Sequence, residues 1–172
     1  LQKMATNKVL FLSVDYLRDN TVINGDVDSE LLEPYILMAQ NIHMEACLGT
    51  KIYKDLIDTI AALSVNNKIL MDDYIQPALL QWSLYESLPF INYRLTNKAI
   101  STKSSDNSDP VSLDELHYLR EAVKNAAEYL SERITVHLKA NTDIYPLYLT
   151  NGDSCDNILP NKTNYNSGIV FD

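Results

Sequence analysis

Apolar residues recur at helical spacing along most of the chain, and this pattern is most pronounced between residues 72 and 98. That stretch contains the only tryptophan, Trp82, and a set of apolar residues three or four positions apart. Such spacing places side chains on one face of a helix, and an indole is expected to dominate the core that it enters. The predicted face consists of Ile75, Ala78, Leu79, Trp82 and Tyr85.

Two prolines limit this helix. Pro77 removes one backbone donor, so we expect either a kink or a helix that starts near Gln76. Pro89 predicts that the helix stops or bends around Leu88. The residues before it, 64–67, are expected to form a turn that leads into the helix.

The residues before this turn predict a helical hairpin or a sharp corner between two helices. A helix capped by Asp28 or Ser29 is expected to end at Gly49, because glycine is common just after a helix C-terminus. A second helix follows after a very short connection. Upstream, Ser13 is expected to cap a brief helix that runs through Arg18. The expected buried positions are Leu32, Ile36, Ala39, Ile42 or His43, and Ala46 in the first helix, and Ile52, Leu56, Ile57, Ile60 and Leu63 in the second.

The last predicted helix is the longest. Ser112 and Glu115 match a capping box at its start, and the helical pattern continues to about Lys139, a length of roughly 40 Å. Its expected buried stripe is Leu116, Leu119, Val123, Ala126, Leu130 and Ile134. These elements together predict an all-α fold, a bundle of about four main helices.

Two segments lack an apolar stripe. Residues 92–111 are expected to form a long loop or hairpin arm, with residues 95–102 as the pairing part. Residues 142–172 form a predicted extended C-terminal tail, which leaves residues 1–141 as the helical domain. The arm carries three cations without an acid among residues 92–104, and the tail carries aromatic and apolar residues in polar surroundings, so both are candidate interfaces. The interface residues predicted are Arg94, Lys98, Lys103, Tyr145, Tyr148, Ile169, Val170 and Phe171.

Composition and charge restrict the class of protein. The 172 residues suit one domain, and the net charge of −9 disfavours a surface that coats nucleic acid or anionic membrane. No apolar run reaches the ~18 residues of a membrane-spanning helix, so we expect a soluble protein that is not exported and has no membrane partner. Cys47 lies on an apolar helical pattern and Cys155 in the polar tail, which favours a reducing compartment.

The sequence contains no catalytic motif. Asp114 and His117 have the carboxylate-x-x-His spacing of helical di-metal sites, but those sites need a second such motif, and His43 has Gln40 where the acid should stand. No glycine-rich phosphate loop or nucleophile elbow is present. We therefore predict no catalytic residues, no metal, no cofactor and no enzyme activity.

Three segments carry a resemblance to a known group of proteins. They read PYILMAQNIHMEACLGTKIYKDL (34–56), YIQPALLQWSLYESLPFINYRLTNKA (74–99) and SLDELHYLREAVKNAAEYLSERI (112–134). In these segments the chain resembles the head-to-tail connector proteins (adaptor, ring or head-completion proteins) of tailed bacteriophages, and it is most similar to those of Bacteroidetes and crAss-like phages. The resemblance covers most of residues 30–140.

The resemblance implies a structural virion protein. Such proteins form a ring, usually of twelve copies, below the portal; the ring extends the DNA channel and carries tail or further ring proteins. The expected partners are thus other copies of this chain, the portal protein and the next ring, while packaged DNA passes without specific binding. The expected location is the neck of the virion, after assembly in the host bacterial cytoplasm. The resemblance also implies that residues 92–111 contact the channel, the portal or a neighbouring subunit.

A different class of function remains open. The basic segment 92–104 is also compatible with a helical regulatory or nucleic-acid-binding module. Such a module is expected to stay monomeric or dimeric, and to lose binding when Arg94, Lys98 and Lys103 are replaced.

Overall fold

The prediction of an all-α fold is confirmed. The computed structural model describes residues 9–23, 29–91, 93–95, 100–102, 113–149 and 158–160. The helices are α1 (Val14–Asp19), α2 (Ser29–Ala39), α3 (Glu45–Leu48), α4 (Thr50–Thr59), α5 (Val65–Ile69), α6 (Gln76–Ile91) and α7 (Leu113–Ala140). Short 3₁₀ turns, Ile60–Ala62 and Pro146–Tyr148, follow α4 and α7. Between α6 and α7, two strands, β1 (Tyr93–Leu95) and β2 (Ile100–Thr102), pair antiparallel as a hairpin.

π-helical segments join four of these helices into two long ones. Gln40–Met44 connects α2 to α3, and Leu70–Ile75 connects α5 to α6. With α4 and α7, they give the four main helices of the bundle within the described residues. The second π-helical segment ends just before Gln76 and Pro77, where a wider turn gives the proline ring room. The predicted start near Gln76 therefore coincides with a change of helix type, and α6 continues past Pro89 to Ile91.

The first π-helical segment corrects the predicted buried stripe. Leu32, Ile36 and Ala39 are buried as expected. Beyond them the extra residue per turn rotates the following side chains, so Gln40, Met44 and Leu48 enter the core. Ile42 is left 52% exposed, and His43 and Ala46 are only partly buried.

Serine hydroxyls cap two helices. Ser13 Oγ accepts a hydrogen bond of 3.1 Å from Tyr16 N at the start of α1, which confirms the predicted cap. Ser64 Oγ accepts from Asn67 N at 3.2 Å at the start of α5. Residues 65–67 are thus already helical, and the turn predicted there is wrong because Ser64 can initiate a helix.

Gly49 forms the corner between α3 and α4. Its φ of +76° is costly for residues with a side chain, and a Cβ there would lie 2.7 Å from Pro160 Cδ. Beside it, Thr50 N donates to Ile158 O at 3.0 Å, and Ile158 N donates to Thr50 Oγ1 at 2.8 Å. Residues 158–160 therefore pack against the N-terminus of α4, where Ile158 forms hydrogen bonds with Thr50.

α6 packs between α2 and α7 and forms the centre of the bundle. The N-terminal residues lie against this bundle through two glutamines. Gln40 accepts from Phe11 N at 2.8 Å and donates to Val9 O at 3.0 Å, while Gln76 donates to Phe11 O at 3.1 Å. The two side-chain amides thereby provide hydrogen-bond partners for the backbone of Val9 and Phe11, which lie outside any helix or strand.

The buried stripe of α7 differs from the predicted one. It consists of Leu116, Val123, Ala127, Leu130, Ile134 and Leu138, all buried or partly buried. Leu119 is 46% exposed and Ala126 is exposed, although both were expected in the core. The helix carries two stripes with the same spacing, and the prediction combined members of both. Ser112 of the predicted capping box lies outside the described residues.

The packed structure extends beyond the boundary predicted at residue 141. Tyr145 and Tyr148 are buried, and Tyr148 is only 1% exposed. Tyr145 Oη donates to Asn66 O at 2.8 Å, which ties the residues after α7 to the start of α5. Both rings belong to the core of their own chain, so their assignment to a free tail is corrected. Burial of the rings and a satisfied hydroxyl outweigh the polar sequence around them.

Candidate interaction surface

Trp82 connects the three central helices through one aromatic–polar junction. Its ring stacks on His43 with centroids 3.6 Å apart and an interplanar angle of 6°. On the α7 side, Trp82 Nε1 donates to Ser131 Oγ at 2.8 Å, and Ser131 Oγ donates to Ala127 O. The indole is buried, so this junction fixes the positions of the three helices relative to one another.

His43 is held as a structural residue. Its Nε2 lies 2.8 Å from Glu86 Oε1, a hydrogen bond that the imidazole N–H donates to the carboxylate. Burial lowers the pKa of His43, and the hydrogen bond and charge of Glu86 oppose this shift. Burial likewise raises the pKa of Cys47, which favours its neutral thiol. A neutral thiol is not an activated nucleophile.

The part of the chain that the structure describes contains no candidate metal site and no helix that could span a membrane. None of the described residues form a group of three His, Cys, Asp or Glu side chains close enough to hold an ion. Asp114 and His117 are both exposed on α7. Over the same ranges, every helix is too short or too polar to cross a bilayer.

A second apolar stripe of α7 faces away from the core. Its members step by three or four residues over 22 positions, the spacing by which one helix packs along another. Tyr129 is 66% exposed, and Tyr118, next to the stripe, is also exposed. We call this set the α7 outer stripe; it comprises Leu119, Ala122, Ala126, Tyr129, Arg133, Val136 and Ala140, all exposed.

α2 and the π-helical segment that follows it carry a second exposed apolar surface. Leu31 and Ile42 are exposed, and Tyr35 and Met38 between them are partly buried. The Tyr35 ring stacks on Phe90 of α6 with centroids 5.0 Å apart, which extends the surface onto the next helix. We call it the α2 outer face; it comprises Leu31, Tyr35, Met38, Ile42 and Phe90.

The residues predicted as an interface fall into three groups: one lies in the hairpin, two lie in the core, and five lie outside the described residues. Arg94 lies in β1, opposite Ser101 of β2, so residues 93–102 do include a hairpin. Lys98, Lys103, Ile169, Val170 and Phe171 lie outside the described residues. Tyr145 and Tyr148 are in the core. The two outer surfaces on α2 and α7 were not predicted, although the apolar residues left over from each helix's core stripe were the signal that could have found them.

One comparison with known proteins gives a match. A family model described as a family of unknown function, DUF6712, matches residues 44–158, about two thirds of the chain. The match begins in the first π-helical segment and ends at Ile158, the residue bonded to Thr50. Among curated proteins and among solved structures, nothing matches.

Proposed function

Because the chain belongs to DUF6712, a family of unknown function, we propose its function from its own residues: a structural subunit of a ring in the neck of a tailed bacteriophage. In this role the protein lies below the portal, extends the DNA channel and joins head to tail. It assembles in the host bacterial cytoplasm. The resemblance of residues 34–56, 74–99 and 112–134 to head-to-tail connectors supports this assignment.

The observation that carries the proposal is the presence of two unlike exposed apolar surfaces. The α7 outer stripe lies on α7 and the α2 outer face lies mainly on α2, and both helices pack against α6. A ring requires one surface of each subunit to meet a different surface of the next, whereas a two-fold dimer uses one surface twice. Exposed apolar patches of this kind mark interaction sites. Two such patches suit a subunit that has a neighbour on each side.

The charge of the chain suits a channel for DNA. The net charge is −9 per chain, and repetition around a ring multiplies it. Phosphates bind to basic surfaces, so an excess of acidic groups keeps DNA from attaching while it passes. This repulsion is short-ranged, because salt screens charges beyond ~8 Å at physiological ionic strength.

The test is the mass of the purified protein in solution, measured alone and with the portal protein of the same phage. We expect a closed ring, alone or on the portal, with about twelve copies as the resemblance implies. A monomer or dimer that ignores the portal would overturn the proposal. If that monomer bound nucleic acid, and replacement of Arg94, Lys98 and Lys103 abolished binding, the basic segment would be the functional site instead.

The role of the C-terminal residues needs a matched pair of deletions. Removal of residues 142–172 also removes Tyr145 and Tyr148 from the core, so that variant reports on folding as well as on assembly. Removal of residues 161–172 alone takes away Ile169, Val170 and Phe171 and leaves the Thr50–Ile158 contact in place. We expect the shorter deletion to fold and to assemble less well. Unchanged assembly would remove these three residues from the interface.

A further inference from the structure

We propose that the α7 outer stripe of one copy packs against the α2 outer face of the next copy. This inference rests on the proposed function, since a ring subunit needs two different surfaces that fit each other. It goes further by naming which helices meet and which side chains lie at the contact.

The geometry of the stripe points to a helix as its partner. Leu119, Ala122, Ala126, Tyr129 and Val136 follow the alternating three- and four-residue steps of a helix–helix contact. Alanines at 122 and 126 leave a shallow groove, which lets a second helix approach to roughly 8–10 Å between axes. Tyr129 adds a large side chain with a polar tip beside that groove.

The α2 outer face has complementary shape and charge. It presents large side chains, Leu31, Met38 and Ile42, where α7 presents alanines. The α7 outer stripe contains one exposed cation, Arg133, whose guanidinium carbon lies 5.5 Å from the Tyr74 ring centroid. Residues 29–42 contain Glu30 and Glu33 and no Lys or Arg. An Arg133 side chain of the neighbour can therefore meet an acid at the start of α2.

Pairing of α7 with itself is the less suitable arrangement. It would place two alanine-lined surfaces against each other and leave the groove unfilled. A contact with α2 places the large side chains of one copy in the groove of the other.

The size of the contact predicts weak pairs and stable closed assemblies. The stripe spans 21 helical steps, or about 32 Å, but the α2 outer face spans only 11 steps, or about 17 Å, so their contact covers on the order of 200 Å² per copy. Stable pairs usually need about 800 Å² per partner. One contact alone is too small, whereas closure of a ring gives every copy two contacts. Covalent capture is therefore the appropriate assay.

Single cysteines can capture the contact in the full-length chain. In a Cys155→Ser background, Ala126→Cys marks α7 and Ile42→Cys marks α2, and a short bis-maleimide reagent links thiols that come close. Mixed single variants should give a heterodimer, and a chain with both substitutions should give a ladder of oligomers. Ala61→Cys, an exposed alanine outside both surfaces, is the matched control and also measures any reaction of Cys47.

Each outcome bears on the inference. A ladder from the double variant, abolished by Arg133→Glu, supports it. Efficient cross-linking of Ala126→Cys with itself, or no ladder from the double variant, overturns it. A ring found by mass without the ladder would refute this contact and leave the proposed function standing. A ladder from a protein whose mass stays that of a monomer or dimer, alone and with the portal, would support the contact and refute the proposed function.

Discussion

Gln40 offers a test of how the N-terminal residues are held to the bundle. Its side chain is 0% exposed, accepts a hydrogen bond from Phe11 N and donates to Val9 O and to Tyr53 Oη at 3.1 Å. The first π-helical segment begins at this residue and turns its amide inward. Replacement by methionine keeps a similar volume and removes all three hydrogen bonds.

The expected loss of stability follows from these bonds. Each net hydrogen bond contributes about 1 kcal/mol, and a buried donor left without a partner costs about 1–3 kcal/mol. Phe11 N–H is such a donor, since Phe11 is buried, whereas Val9 is only partly buried and its carbonyl can bind water. Gln40→Met should therefore destabilise the fold by about 3–5 kcal/mol. For a chain of this size, that corresponds to a fall in Tm of roughly 6–20 °C.

The measurement is urea unfolding followed by far-ultraviolet circular dichroism. Gln81→Met, the same substitution at a partly buried position of α6, is the control and should cost less than about 1 kcal/mol. Gln40→Glu keeps an acceptor for Phe11 N but loses the donors, so its loss should also be large because it buries an acid. A change below about 1 kcal/mol for Gln40→Met would refute the role assigned to this side chain.

Two further predictions concern His43 and Gly49. Burial lowers the pKa of His43, so its stabilising effect is complete above the unfolded value near 6.5 and is lost as the pH falls below it. Between pH about 7 and about 5, the His43→Phe variant should lose less stability than the unsubstituted protein does. If urea unfolding shows the same pH dependence for both proteins, this prediction is wrong. Gly49→Ala should cost about 1–3 kcal/mol because of its positive φ and the contact with Pro160 Cδ. Pro160→Gly should restore part of that loss in thermal unfolding, and strictly additive losses would argue against the contact.

The main helices could be predicted because their signals are local. The Ser13 cap, the end of a helix at Gly49 and the apolar periodicity around Trp82 each depend on a few neighbouring residues, and the structure has all three. The hairpin was also predictable in outline, since residues 93–95 and 100–102 flank a short polar connection.

The remaining features depend on contacts that spacing does not encode. A π-helical turn at Gln40–Met44 shifts the buried face by about one residue, so Ile42 points to solvent although its spacing fits the core. On α7, two apolar stripes have the same period, and only packing against α6 decides that Ala127 is buried and Ala126 is exposed. Tyr148 follows the last helical pattern in the sequence, so no periodicity marks it as buried, and yet its ring is part of the core.

The bond between Thr50 and Ile158 also has a consequence for synthesis. The two residues are 108 positions apart, and a ribosome adds roughly 5–20 residues per second. In a nascent chain, α4 therefore lacks its hydrogen bonds to Ile158 for roughly 5–20 s after Thr50 has been synthesised. The corner at Gly49 is completed only once Pro160 has left the ribosome. Translation order thus restricts this corner to chains that extend past Pro160, and chains that terminate earlier cannot form it.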